Sequence, residues 1–182
     1  MPFDVTDFKT LMELEPHGPD VFVGVGPPYP WGRVYGGQVV AQALRAACAT
    51  VDDWFQVHSL HSYFIRGGDY DEPIRYEVDR IRNGRSFLTR RVVARQSMGP
   101  ILNLSASFQI REDEADVQEC AMPKDLPQPE DLRPSEWGPI LLTRRLKKEG
   151  PRALAWVRVE GEIGEDPVAQ SCALAYTSDE LP

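Results

Sequence analysis

The sequence predicts an α+β fold: a long antiparallel sheet wrapped around one central helix, followed by the opening of a second unit of the same plan. Three observations carry this. Residues 37–50, "GQVVAQALRAACAT", read as a helix that is apolar nearly all round, with Arg45 as its only charge. Four long strand-like segments follow, separated by tight-turn sequences. A strand and a small-residue helix then recur in the same order near the end of the chain. A helix apolar on every side is a buried helix. Ten-residue strands reach about 33 Å, longer than a three- to four-turn helix, so they can wrap around it.

Taken in order, "DFKTLMEL" places Phe8, Leu11, Met12 and Leu14 on one face of a short helix, with Thr6 or Asp7 as its N-cap. "DVFVGVGPPYP" (20–30) reads as a strand halted by glycine and proline. "WGRVYGGQ" is a glycine-rich turn into the central helix. "FQVHSLHSYFIRG" (55–67) is a strand bounded by Gly67 and Gly68. "IRYEVDRIR" (74–82) alternates, with Ile74, Tyr76 and Val78 on one face, Arg80 continuing that register, and Arg75, Glu77 and Asp79 on the other. "NGR" (83–85) is a hairpin turn. "SFLTRRVVARQ" (86–96), "SMGP" and "ILNLSASFQIR" (101–111) complete a meander.

The domain expectation is therefore a first unit over 1–111, an acidic, proline-rich linker over 112–134, and the start of a second unit over 135–182 containing a strand and a helix only. The strand is "ALAWVRVEGEIG" (153–164). Asp166 and Pro167 are its helix's N-cap and first residue, and "VAQ" occurs in both helices, at 40–42 and 168–170. That second helix has an apolar face and no full sheet to bury it, so it is expected to pack on the first unit or on a neighbouring chain.

Composition narrows the function classes. A net charge of −8 argues against nucleic acid and anionic membrane as principal partners. Arg80, Arg82, Arg85, Arg90, Arg91 and Arg95 nevertheless form a local basic cluster, read mostly as a solvated sheet face. Arg82 and Arg85, beside the hairpin turn, are candidates for a phosphate. Three cysteines without a CxxC spacing suit reduced thiols and a cytoplasmic location. No apolar run approaches a membrane span.

His58 and His61 lie three apart on a strand, so their rings should point to opposite faces, which excludes a simple two-histidine metal site. One reading buries one histidine and leaves the other at the surface; another has one of them lining an acyl or thioester pocket. In "YGGQ", Gly36, Gly37 and Gln38 precede or open the central helix. The glycines serve either close packing or the approach of a ligand to free helix N–H groups. Asp179 falls on a small, apolar helical stripe. A carboxylate there is either exposed by fraying or held for a purpose. There is no GxSxG elbow and no Cys–His spacing suited to a cysteine nucleophile.

Together "RVYGGQVVAQAL", "VHSLHSYFIRGGD", "PIRYEVDRIRNGRSF", "LSASFQ", "AWVRVEGEI" and "CALAYTSD" resemble the acyl-CoA thioesterase II family of double-hotdog proteins, over nearly the whole chain. The resemblance implies a hotdog fold with an incomplete second hotdog. It implies hydrolysis of fatty acyl-CoA to free acid and CoA, in fatty acid metabolism, without metal or organic cofactor. Tyr176, Ser178 and Asp179 match a "Y-x-S-D" block in which the Asp activates water, and His58 matches a histidine also discussed at the active site. The family's Thr or Ser and Gln follow the helix, beyond Pro182. The 182 residues alone are therefore expected to lack the full catalytic set and to need those residues or a partner chain. Hotdogs pair helix beside helix, so a homo-oligomer is expected. The alternative is a non-catalytic acyl-CoA-binding or assembly module.

Overall fold

A computed structural model describes residues 5–112, 115, 117–137, 140–149 and 152–180. Six strands form one antiparallel sheet in the order β1-β2-β4-β5-β6-β3. They are β1 (Glu15–Pro16), β2 (Val21–Gly24), β3 (Phe55–Phe64), β4 (Ile74–Asn83), β5 (Phe87–Gln96) and β6 (Gly99–Ile110). Helix α2 (Gly36–Cys48) packs against β2, β3, β4, β5 and β6, which is the expected sheet around a central helix. Eleven of its thirteen residues are buried, as an all-round apolar helix requires.

Strand alternation supplies the other half of the core. Ile74, Tyr76 and Val78 of β4, Leu88, Val92 and Ala94 of β5, and Leu102, Leu104, Ala106 and Phe108 of β6 are buried. Arg80 does not continue the buried face of β4. The β4–β5 register shifts between Asp79 and Arg82, and Arg80 is exposed in a bidentate pair with Asp20. The expected strand over 20–30 is only four residues long, because the glycines and prolines of 24–30 end its pairing with β4. Asp7 caps α1 (Phe8–Leu11), its Oδ1 accepting from the Thr10 N–H at 2.8 Å, and Phe8, Leu11 and Met12 join the core.

Residues 117–134 are irregular apart from one 3-10 turn at Pro129–Asp131. The second unit holds more than the expected strand and helix. Strands β7 (Ser135–Trp137), β8 (Leu141–Glu149) and β9 (Arg152–Val159) form an antiparallel sheet, β7-β8-β9, ahead of α3 (Pro167–Thr177). The run "LLTRRLKKE" is dense in charge and hides its strand from period-two reading. Ile140, Leu141 and Val159 share one buried cluster with α2 and α3. Asp166 caps α3, accepting from the Val168 N–H at 3.0 Å, with Pro167 at the first position. As expected for an apolar helix without its own full sheet, α3 packs on the first unit, against α2. No helix among the described residues is long and apolar enough to cross a membrane.

Candidate active site at the start of helix α2

The first N–H groups of an α-helix have no partner within it. At α2 the N-cap residue Tyr35 is extended and its side chain makes no cap bond to the helix. The vacancy is filled from 142 positions away: the Gly37 N–H donates to Asp179 Oδ2 at 3.1 Å. Asp179 follows the end of α3 by two residues, so two helix ends meet here.

Glycine is what permits the meeting. A Cβ on Gly36 would lie 2.5 Å from Asp179 Oδ2 and 2.9 Å from the Phe64 ring. A Cβ on Gly37 would overlap the Tyr176 carbonyl oxygen and the Tyr35 ring. Tyr35 donates its hydroxyl to that carbonyl at 3.0 Å, with ring centroids of Tyr35 and Tyr176 5.0 Å apart. Tyr29 and Tyr176 place their hydroxyls 3.4 Å apart, and Phe8 meets the Tyr176 ring edge-on. Burial pushes the Tyr176 phenol up to about 12 and those of Tyr29 and Tyr35 higher, so all three stay protonated.

Asp179 is half-buried. Burial raises its carboxyl above the ordinary value, and the Gly37 N–H opposes that rise without cancelling it. A carboxylate so placed is a better proton acceptor than an exposed one. The buried thiols Cys48 and Cys172 are the reverse case. Burial pushes Cys48 up to about 12 and Cys172 beyond it, away from the reactive thiolate.

The structure thus brings Asp179, Gly36 and Gly37 together, and it separates the other candidates. Gln38 begins on the same helical turn but points inward. Its Nε2 donates to Gln42 Oε1 at 3.3 Å, in a buried network in which Tyr76 donates to Gln42 and Gln42 donates to the carbonyls of Leu11 and Val25. His58 sits in a bulge of β3, bonded to Ser107 Oγ at 2.9 Å and edge-on to Phe87. It precedes Phe64, the β3 residue beside Gly36, by six positions, about 20 Å along a strand. His58 and His61 are both exposed, so neither is the buried histidine that one reading expected. Arg82 and Arg85 lie exposed on the β4–β5 hairpin. No group of three or more metal-binding side chains gathers among the described residues.

Two tyrosines that no sequence motif marks contribute to the site. Tyr35 and Tyr29 brace the Tyr176 end of α3, and the only hint was that a buried tyrosine needs a hydrogen-bond partner. Arg90, expected on the solvated sheet face, is 1% exposed. Its signal was present: Leu88, Arg90, Val92 and Ala94 share one strand parity.

Residues 26–109 match the family model for the acyl-CoA thioesterase N-terminal domain. The human acyl-coenzyme A thioesterase 8 is 35% identical over 93% of this chain, which spans 64% of that protein's length. The acyl-CoA thioesterase 2 of Haemophilus influenzae is 32% identical, again over 93% of this chain and over 68% of its own length. The tesB protein of Mycobacterium avium subs. paratuberculosis superposes with a TM-score of 0.83 at 34% identity, covering 94% of this chain and 68% of that one. A protein from Alicyclobacillus acidocaldarius described as having a hot dog fold superposes at 0.79 with 21% identity, over 96% of this chain and 69% of that one, a likeness of fold alone.

Proposed function

Since the chain belongs to the acyl-CoA thioesterase family, we propose that Asp179 is the general base of a site that hydrolyses fatty acyl-CoA to free acid and CoA. Asp179 takes a proton from a water whose oxygen bonds to the thioester carbonyl carbon. The C–S bond breaks, and the thiolate of CoA recovers the proton. The observation that carries this is the Gly37–Asp179 bond at 3.1 Å. It fixes one carboxylate oxygen and leaves the other for water, while partial burial raises the basicity. Gly36 keeps a side chain away from the carboxylate, and Gly37 leaves room for the Tyr176 carbonyl and the Tyr35 ring beside it. Arg82 and Arg85 are assigned to the phosphates of CoA. In this reading a hydroxyl and an amide complete the water's cage, and the protein works as a homo-oligomer. No metal or organic cofactor takes part, and the setting is cytoplasmic.

The test is CoA release from decanoyl-CoA by this chain and by a form continued past Pro182. Replacing Asp179 by Asn keeps an acceptor for the Gly37 N–H and removes the base. Turnover should fall by about 100- to 10,000-fold, the usual worth of general-base catalysis. Unchanged turnover in Asp179→Asn would overturn the assignment. Binding of decanoyl-CoA without turnover by either form would favour a non-catalytic acyl-CoA-binding module.

A further inference from the structure

We propose that the cavity beside the β4–β5 hairpin is an anion site for a phosphorylated nucleoside, with Arg90 at its floor and Arg85 and Trp54 at its mouth. The cavity has a volume of about 390 Å³, and Thr50, Phe55, Asn83 and Gly84 complete the lining that matters here. That volume lies within the range of small-molecule sites.

Arg90 is buried, and its donors all end on neutral oxygens: Thr50 Oγ1 at 2.8 Å, the Thr50 carbonyl at 3.1 Å, the Arg82 carbonyl at 3.0 Å and the Thr89 carbonyl at 3.1 Å. The geometry of the guanidinium is fixed, and no carboxylate bonds to it among the described residues; Asp20 and Asp52 act on it through space. A buried cation without a bonded counter-ion is costly, and an arriving anion offsets that cost. Burial lowers its pKa, yet a guanidinium remains charged at neutral pH. Arg80 is already neutralised by Asp20. Arg85 has no hydrogen bond or ion pair among the described residues and lines the same cavity. Two guanidiniums without a bonded carboxylate therefore face it, against one lining carboxylate, Asp52, in a chain whose net charge is −8.

The aromatic component selects a nucleoside over a bare anion. Trp54 is 65% exposed at the mouth, tilted against the Phe55 ring with centroids 6.3 Å apart, and such exposed rings stack on bases. Two sources share this chemistry. One is the nucleotide end of the acyl-CoA, which rests on the proposed hydrolase reading. The other is a free nucleotide. The cavity borders Thr50, just past the far end of α2 from Gly37, and thirteen helical residues span about 20 Å. A thioester at Asp179 reaches the cavity only if its CoA arm extends along that length.

Titration calorimetry with adenosine 3′,5′-bisphosphate tests the site. Arg85→Glu and Trp54→Ala change exposed side chains and should each weaken binding at least tenfold, while Asp179→Asn leaves it unchanged. Equal binding by wild type and Arg85→Glu, or inorganic phosphate binding as tightly as the bisphosphate, overturns the proposal. Displacement of the bisphosphate by decanoyl-CoA but not by decanoyl-pantetheine assigns the site to the CoA end. Binding that decanoyl-CoA leaves undisturbed assigns it to a free nucleotide, and either result upholds the site. Hydrolysis of decanoyl-pantetheine, which has no nucleotide, reports on Asp179 independently, so failure of the hydrolase reading and failure of this site are told apart.

Discussion

Helices α2 and α3 use nearly the same residues and live in different surroundings. Both are rich in alanine and both contain "VAQ". α2 is enclosed by its sheet, with eleven of thirteen residues buried, whereas α3 buries four of eleven and turns Leu174 outward at 73% exposure. Small residues thus do two jobs. In α2 they let a sheet close around the helix. In α3 they let one helix lie close against another, so that the Tyr176 carbonyl and the Asp179 carboxylate reach the glycines at the start of α2. The enclosed helix supplies its N-terminus, and the half-covered helix delivers the Asp179 carboxylate to it.

The largest effect that could break this contrast is on turnover: the loss of about 100-fold or more expected for Asp179→Asn, read as CoA release. Next are the paired leucines. Leu44→Ala in α2, where Leu44 is 1% exposed, should cost about 2–5 kcal/mol of unfolding free energy. Leu174→Ala in α3 should stay within about 0.5 kcal/mol. Denaturant titration of both decides it, and an equal cost would mean that the outer face of α3 is covered in solution. Gly37→Ala should cost about 1–3 kcal/mol by overpacking and should also lower turnover, because the added methyl overlaps Tyr176 and Tyr35.

The smallest effect is on pH dependence. Folding raises the Asp179 carboxyl above its ordinary 3.8. The folded state therefore holds the proton more tightly, and stability falls as pH climbs from the unfolded value through the folded one. Asp179→Asn should raise Tm at pH 7 and lose that advantage below about pH 3.8, where both side chains are neutral. An Asn variant less stable than wild type at pH 7 would mean that the charged Asp179–Gly37 bond outweighs the cost of burial.

Period two and period 3.6 fixed the elements. The central helix and strands β3 to β6 were legible because apolar residues recur at those spacings and Gly, Pro and Asn-Gly punctuate them. β8 was not legible, since its sequence is dominated by charge. Arg80 and Arg90 show the limit within a strand that was read correctly: a bulge turned Arg80 to the surface, and plain alternation carried Arg90 into the core against its composition. At the site, Asp179, Gly36 and Gly37 could each be singled out, but nothing in the sequence joined them.

The sequence by itself determined the α+β plan, the buried helix and the kinship with thioesterases, because these rest on local periodicity and on motifs. The tertiary structure alone decided that Asp179 occupies the vacant cap of α2 and that His58 keeps company with Ser107. It also decided that Arg90 is a buried cation whose hydrogen bonds all end on neutral oxygens. The physical reason is range: periodicity acts over a few residues, whereas a helix N–H takes whatever acceptor the packed chain brings to it, here from 142 positions away.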